Sequence, residues 1–258
     1  MRFLFELTWR EAREAAHGGA MVLMPCGSVE QHGPHLPAKT DSCIVETVAR
    51  AAAENLTGTE EVLVAPTLIY GASDHHRDFF AMSVSEKTYI DAVFDLCAGL
   101  QKAGFEKAFL LNGHGGNTAP LKVVCALARS KLPGLLLGTS DYWALAAEGM
   151  RRARNSAPGG AAHAGEFETS LMMFLDQGSV RQESIVSNLP DLPPELTLDL
   201  VDGGPITTSA GWETLSREGH LGDAEKATPD QGKELYQVSV AAVTEALRVF
   251  LKFDTSSR

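Results

Sequence analysis

What most constrains this chain is a rhythm: short apolar runs of strand length alternate with longer stretches whose apolar residues recur at helical spacing. Met21 to Pro25 reads as a buried strand and Asp41 to Asn55 as a helix that Asp41 is placed to cap. Val62 to Ala65 reads as a second strand, and Glu86 to Ala103 as a helix stopped by Gly104. Lys107 to Leu111 and Gly134 to Thr139 read as strands flanking a helix from Ala119 to Lys131, with Pro120 in its first turn. The alternation predicts βαβ units with right-handed crossovers, and hence an α/β fold with a mostly parallel sheet covered on both faces. Further helices are expected from Thr169 to Leu175 and from about Pro229 to Phe253. The intervening Ser187 to Gly211, rich in Pro, Gly and Asp, reads as a long excursion near the site or a subunit contact. It is too short to divide the chain, so the 258 residues are expected to form one domain.

Composition narrows the function by exclusion. A net charge of −11 opposes nucleic-acid binding, which needs a surplus of Lys and Arg to meet phosphates. No run approaches the roughly 20 apolar residues of a membrane helix, and the first residues lack the apolar core of a signal peptide. Cys26, Cys43, Cys97 and Cys125 show no paired spacing and read as reduced thiols. A cytoplasmic protein with no nucleic-acid or membrane partner is the expectation, and the charge by itself does not identify a small-molecule substrate.

Three clusters carry chemistry. The first is Gly27-Ser28-Val29-Glu30-Gln31-His32-Gly33-Pro34-His35-Leu36-Pro37, followed by Thr40-Asp41, and it begins where the first strand ends. Ligands of open parallel sheets bind at that carboxyl edge. Glu30 and His32 are two residues apart, so an extended backbone points both side chains the same way. Asp41 opens the next helix and is able to return to the same point. Two carboxylates and an imidazole suit zinc, manganese or iron. His35, between Pro34 and Leu36, reads as a packed loop histidine.

The second cluster, Asn112-Gly113-His114-Gly115-Gly116-Asn117, is a glycine-rich turn from strand to helix. It places His114 on the same edge, with Gly115 allowing close backbone approach to a ligand and Asn117 a candidate helix cap. A phosphate loop competes for this turn, but both phosphate-binding signatures are missing. The third, His163-Ala164-Gly165-Glu166-Phe167-Glu168-Thr169-Ser170, sets a histidine and two carboxylates before an apolar helix. If helical geometry starts near Gly165, His163 and Glu166 share a side while Glu168 points elsewhere. Together the clusters supply enough ligands for two metals sharing one carboxylate.

These three stretches, with Gly219-His220-Leu221-Gly222-Asp223 and Ala227-Thr228 in order behind them, resemble the creatininase (creatinine amidohydrolase) family from about Met21 to Gly232. The resemblance implies a three-layer α/β/α fold, two divalent metal ions per subunit, and a homo-oligomer, possibly a hexamer. It implies that Glu30, Asp41 and His114 hold one metal, that His32 and Asp41 hold the second, and that Asp41 bridges. Creatininase itself is expected to add a Glu two residues beyond the turn histidine, where this chain has Gly116. Glu166 is the expected substitute and Glu168 the fallback. Tyr70-Gly71-Ala72-Ser73-Asp74-His75-His76 resembles a family substrate loop, making Ser73 and His76 candidate substrate contacts, but the usual Phe-Pro-Gly-Thr is here Phe79-Phe80-Ala81-Met82. Trp143 is a candidate substrate cover or a core aromatic, and Trp212 a candidate subunit contact.

The implied reaction is hydrolysis of a small amide, cyclic amide or formamide by water activated between two cations. His163 is the candidate proton shuttle, with Glu168 orienting it. Cleavage of a peptide or of a carbon–carbon bond beside a ketone competes within the family. A non-catalytic metal-binding module and a nucleotide-binding module compete from outside it.

Overall fold

The computed structural model describes residues 2–253. Five parallel strands form one sheet: β1 (Arg2–Phe3), β2 (Met21–Cys26), β3 (Val62–Val64), β4 (Lys107–Asn112) and β5 (Leu136–Asp141), in the order β1-β3-β2-β4-β5. Side chains alternate across the pleat, and the two faces build two cores. Met21, Leu23, Val62, Val64, Phe109 and Leu111 point to one face, and Val22, Met24, Leu63, Ala108 and Leu110 to the other. The first face is covered by α2 (Thr40–Glu54), α5 (Tyr142–Ala153), α6 (Glu166–Leu175) and α8 (Pro229–Lys252). The second is covered by α1 (Trp9–His17), α3 (Glu86–Ala103) and α4 (Thr118–Lys131). The expected three-layer α/β/α sandwich is therefore present. The remaining helix, α7 (Trp212–Leu215), is a single turn.

Helix ends follow local chemistry. The Ser85 hydroxyl accepts from the Thr88 N–H to start α3, and Gly104, at φ 102°, ends it in the left-handed region. Thr228 caps α8 ahead of Pro229. Four elements lie outside the sequence expectations: β1, α1, α5 and the single-turn α7. A capping box starts α1, in which the Glu11 carboxylate accepts from the Thr8 N–H and the Thr8 hydroxyl from the Glu11 N–H. β5 begins two residues later than expected, because Gly134 and Leu135 belong to the turn that enters it.

Register decides where the chemistry gathers. Cys26 pairs with Asn112 and Asn112 with Asp141, so β2, β4 and β5 end at one level. Chain leaving each strand therefore enters the same crevice. The segment after α5 is tied down by Arg154, whose guanidinium is buried between Asp199 and Asp202, 2.5 Å from Asp202. The region from 187 to 211 thus packs against the end of α5. No described helix is long and apolar enough to cross a membrane, and the four cysteines carry no disulfide.

Candidate metal centre

Glu30, His32, Asp41 and His114 converge above the sheet edge, all essentially buried. Glu30 is held in extended chain: its N–H donates to Ala38, and the next N–H, of Gln31, donates to Phe80. One Glu30 oxygen accepts from the Ser28 hydroxyl at 3.0 Å, leaving Oε1 facing inward. Asp41 is not the helix cap that the sequence suggested. Lys39 occupies that position without a side-chain bond, and Asp41 sits in the first turn of α2 pointing at the histidines. Its Oδ1 lies 2.9 Å from His32 Nε2 and its Oδ2 3.0 Å from His114 Nδ1. His114 Nδ1 is also 3.3 Å from Glu30 Oε1. Asn117 does stand at the N-cap of α4, but its side chain makes no capping bond; its amide bridges the Ala72 N–H and the Gly27 carbonyl, holding the two loops together.

The far nitrogens of both rings reveal what the near ones present. His32 Nδ1 lies 3.1 Å from the Glu30 backbone carbonyl, and His114 Nε2 lies 3.2 Å from that of Ala72. A carbonyl only accepts, so each far nitrogen carries a proton and each near nitrogen offers a lone pair to carboxylate oxygens. Glu30 Oε1 and Asp41 Oδ2 are buried and make no hydrogen bond. Lone pairs facing lone pairs require a cation between them, and the two imidazole nitrogens with the carboxylates of Glu30, Asp41 and Glu168 are the donors that zinc, manganese or iron prefer. In the metal-free chain protons take that role. Burial works to lower His32, but Asp41, Glu168 and Glu30 overcome it and push the imidazole up to about 10. His114 is likewise raised well above its ordinary value, as Glu30 and Asp41 outweigh burial.

Glu168 joins this centre and Glu166 does not. Two residues apart on α6, the carboxylates leave opposite sides of the helix. Glu168 Oε2 lies 3.9 Å from His32 Nε2 and accepts the Ala164 N–H at 2.6 Å. Ala164 has a φ of 50°, an uncommon left-handed conformation for a residue with a Cβ, and this turns its N–H onto Glu168. Burial pushes the Glu168 carboxyl up to about 7. Glu166 accepts instead from the N–H groups of Asn155 and Ser156, at 2.6 and 2.9 Å, and from the Gln231 amide. It fastens the end of α5 to α8. The sequence expectation paired His163 with Glu166, but His163 precedes the helix in non-helical chain, so helical spacing does not govern it.

The remaining expected residues divide. The Ser73 hydroxyl is buried 2.5 Å from that of Ser28 and 3.2 Å from His114 Nε2. His76 Nε2 lies 3.2 Å from Glu30 Oε1, and His163 Nδ1 lies 3.8 Å from the same oxygen. Burial, and then the neighbouring His32 and His76, hold the His163 imidazole well below its ordinary value, so it is neutral at pH 7. Gly115 is exposed, with open space where a side chain would project. His35 is packed away from the cluster, its Nε2 3.1 Å from the Ala164 carbonyl. Trp143 is not brought to the centre; it is buried in the core, edge-on to Tyr142 at 5.1 Å.

Two residues stand beside the centre that the sequence reading did not assign to it: Trp212, read there as a candidate subunit contact, and Tyr142. The Trp212 ring stands 4.5 Å from that of His76 and 5.4 Å from that of His163, pinned by an Nε1–H bond of 2.6 Å to the Gly219 carbonyl. Tyr142 is fully buried, its hydroxyl without a partner, its pKa raised by burial and by the charges of Glu168 and Asp41. Its signal was positional, as the first residue beyond the carboxyl end of β5. Trp212, 180 residues beyond His32, gave no signal that it would reach this site.

A parallel α/β sandwich that gathers buried carboxylates and imidazoles at its strand ends offers a candidate metal site with the donor types that metal-dependent hydrolases use. The creatininase profile, described as creatinine amidohydrolase, matches residues 5–247, and the chain belongs to this family of hydrolases. It is 33% identical to a mycofactocin precursor peptide peptidase of Mycobacterium tuberculosis, over 85% of this chain and 81% of that one. It is 28% identical to a creatinine amidohydrolase of Pseudomonas putida, over 95% and 96% of the two chains. The crystal structure of a creatinine amidohydrolase superposes with a TM-score of 0.81 at 25% identity, covering 96% of this chain and 97% of the other.

Proposed function

We propose that this chain is a binuclear metal-dependent amidohydrolase that cleaves a C–N bond in a small amide, cyclic amide or formamide. The observation that carries the reading is the convergence of buried, unpartnered oxygens and imidazole lone pairs on Asp41. Glu30, Asp41 and His114 would hold one divalent cation, and His32, Asp41 and Glu168 the other; each triad has its donor atoms within 4.8 Å of one another. Glu168 replaces Glu166 in this assignment because the Glu166 oxygens are already satisfied by backbone N–H groups. The family's expected extra Glu has no room at Gly116, where a Cβ would fall 2.2 Å from the Ala72 carbonyl oxygen.

Bound cations would supply an electrophile for the substrate carbonyl and acidify water at neutral pH. His163, neutral and with Nδ1 turned to the carboxylates, is the group to accept a proton and return it to the leaving nitrogen. Ser73 steadies His114, and the Trp212 ring packs steeply inclined to those of His76 and His163, where it would help to keep water from them. A second reading, cleavage of a peptide C–N bond, is favoured by the 33% identical mycobacterial peptidase and uses the same groups.

The test is elemental analysis of wild type and Asp41→Asn, with turnover measured on a panel of amides, formamides and short peptides. About two divalent ions per chain and turnover are expected for wild type, with both lost in the variant. A wild type without metal after reconstitution, or a variant retaining both ions, overturns the binuclear centre. Cleavage of the peptides alone would favour the second reading.

A further inference from the structure

We infer that Gln31 is a positioning residue that fixes which ring nitrogen His76 and His163 each turn toward the carboxylate pocket. The inference rests on the hydrolase reading for its catalytic meaning, but its structural content stands on hydrogen-bond logic.

Gln31 lies between two proposed metal-binding residues, yet its side chain turns away from them into a cradle of its own. Its Oε1 accepts the Gly33 N–H at 2.8 Å, and its Nε2 donates to the Gly219 carbonyl at 2.8 Å. Those backbone partners settle which end of the amide is oxygen, because one only donates and the other only accepts. The cradle also needs its glycines. Gly33 and Gly219 have φ of 64° and 88°, and a Cβ on Gly219 would fall 2.1 Å from Gln31 Oε1.

An amide nitrogen has two protons, and one goes to Gly219. Two imidazole nitrogens are within reach of the other, His76 Nδ1 at 2.9 Å and His163 Nε2 at 3.0 Å. His163 Nε2 also lies 2.8 Å from the backbone carbonyl of Gln31, to which it must donate, so it carries its own proton and does not accept one. The second amide proton therefore goes to His76 Nδ1. It follows that His76 is protonated on Nε2, the atom 3.2 Å from Glu30 Oε1, while His163 faces the same oxygen with the bare Nδ1 at 3.8 Å. The two rings stack at 4.3 Å and present opposite polarity to the pocket: a donor from His76, an acceptor from His163. His76 then turns an N–H, not a lone pair, toward the pocket and is not a metal ligand, although it shares a possible ligand cluster with Glu30 and His75. One residue, through its side chain and its carbonyl, sets both.

The experiment is long-range proton–nitrogen NMR of histidine-labelled, zinc-loaded protein, which reads the tautomer of each ring. Signals are assigned with His76→Gln and His163→Gln. Wild type should show both rings protonated on Nε2. In Gln31→Glu, which accepts but does not donate, His76 should move its proton to Nδ1 while His163 stays unchanged. Zinc content should hold, and kcat should fall about 10–100-fold, with KM less affected. A wild-type spectrum with His76 protonated on Nδ1 overturns the inference even if the variant fails to fold. So does an unchanged His76 signal in Gln31→Glu. The expected tautomers in a protein that hydrolyses no amide or peptide would support the inference and defeat the hydrolase reading.

Discussion

With the proposed metals removed, raising the pH from 7 to 8.5 should destabilise this protein. In the metal-free chain His32 keeps its proton up to about 10, and His114 is raised in the same direction, because both face buried carboxylates. In the unfolded chain each would lose its proton near 6.5. Raised folded pKa values mean that the ion pairs contribute fully below pH 6.5 and are lost as pH climbs toward the folded values. Each proton retained only by the folded state costs about 1.4 kcal/mol of stability per pH unit. The His32 proton alone, over the interval from pH 7 to 8.5, amounts to about 2 kcal/mol, or roughly 5 °C in Tm for a chain of this size, and His114 adds to the loss in the same direction.

The window is chosen to isolate these two groups. Burial raises Glu168 only to about 7, so most of its contribution lies below the window. Burial pushes the Cys26 and Cys97 thiols up to about 12, which adds a similar loss only as pH passes the ordinary thiol range. The assay is thermal and urea unfolding of chelator-treated protein at pH 7.0, 7.5, 8.0 and 8.5, beside zinc-loaded protein. Zinc replaces the protons, so the loaded protein should show little slope. A metal-free protein whose stability is flat or rises over this interval would refute the claim that the carboxylates hold both imidazoles charged.

Two further outcomes separate the residues of the third motif and of the glycine turn. Glu168→Gln should lower zinc from about two ions to one per chain with little change in Tm. Glu166→Gln should retain both ions but lose about 1–3 kcal/mol in urea unfolding, because the half-buried N–H groups of Asn155 and Ser156 lose a charged acceptor; the opposite pattern in metal content would reverse the assignment. Gly116→Ala should lose more than about 3 kcal/mol or displace His114, since its Cβ would lie 2.5 Å from His114 Nε2. A stable Gly116→Ala protein with undiminished zinc binding would show that the loop relaxes.

The order of strands and helices was legible because burial on a two-sided parallel sheet imposes continuous apolar runs, and crossover helices impose a different period between them. Glu30, His32 and Asp41 were legible for a related reason: they lie within 12 residues of one another, where strand geometry and a helix start constrain direction. His114 followed from its glycine turn after a strand. Elements without such a signature escaped. α5 begins directly at the end of β5 with no intervening turn residues, and β1 is two residues long. The choice between Glu166 and Glu168 needed the tertiary structure, because it depends on where α6 begins and on Gln231 of α8 arriving to occupy one of them. The same holds for Trp212, which reaches the centre only by long-range packing. Local sequence dictates the period and the turn chemistry, and so the elements and the edge where ligands gather. Which side chains meet there is decided by contacts between segments far apart in the chain, whose geometry no local pattern encodes.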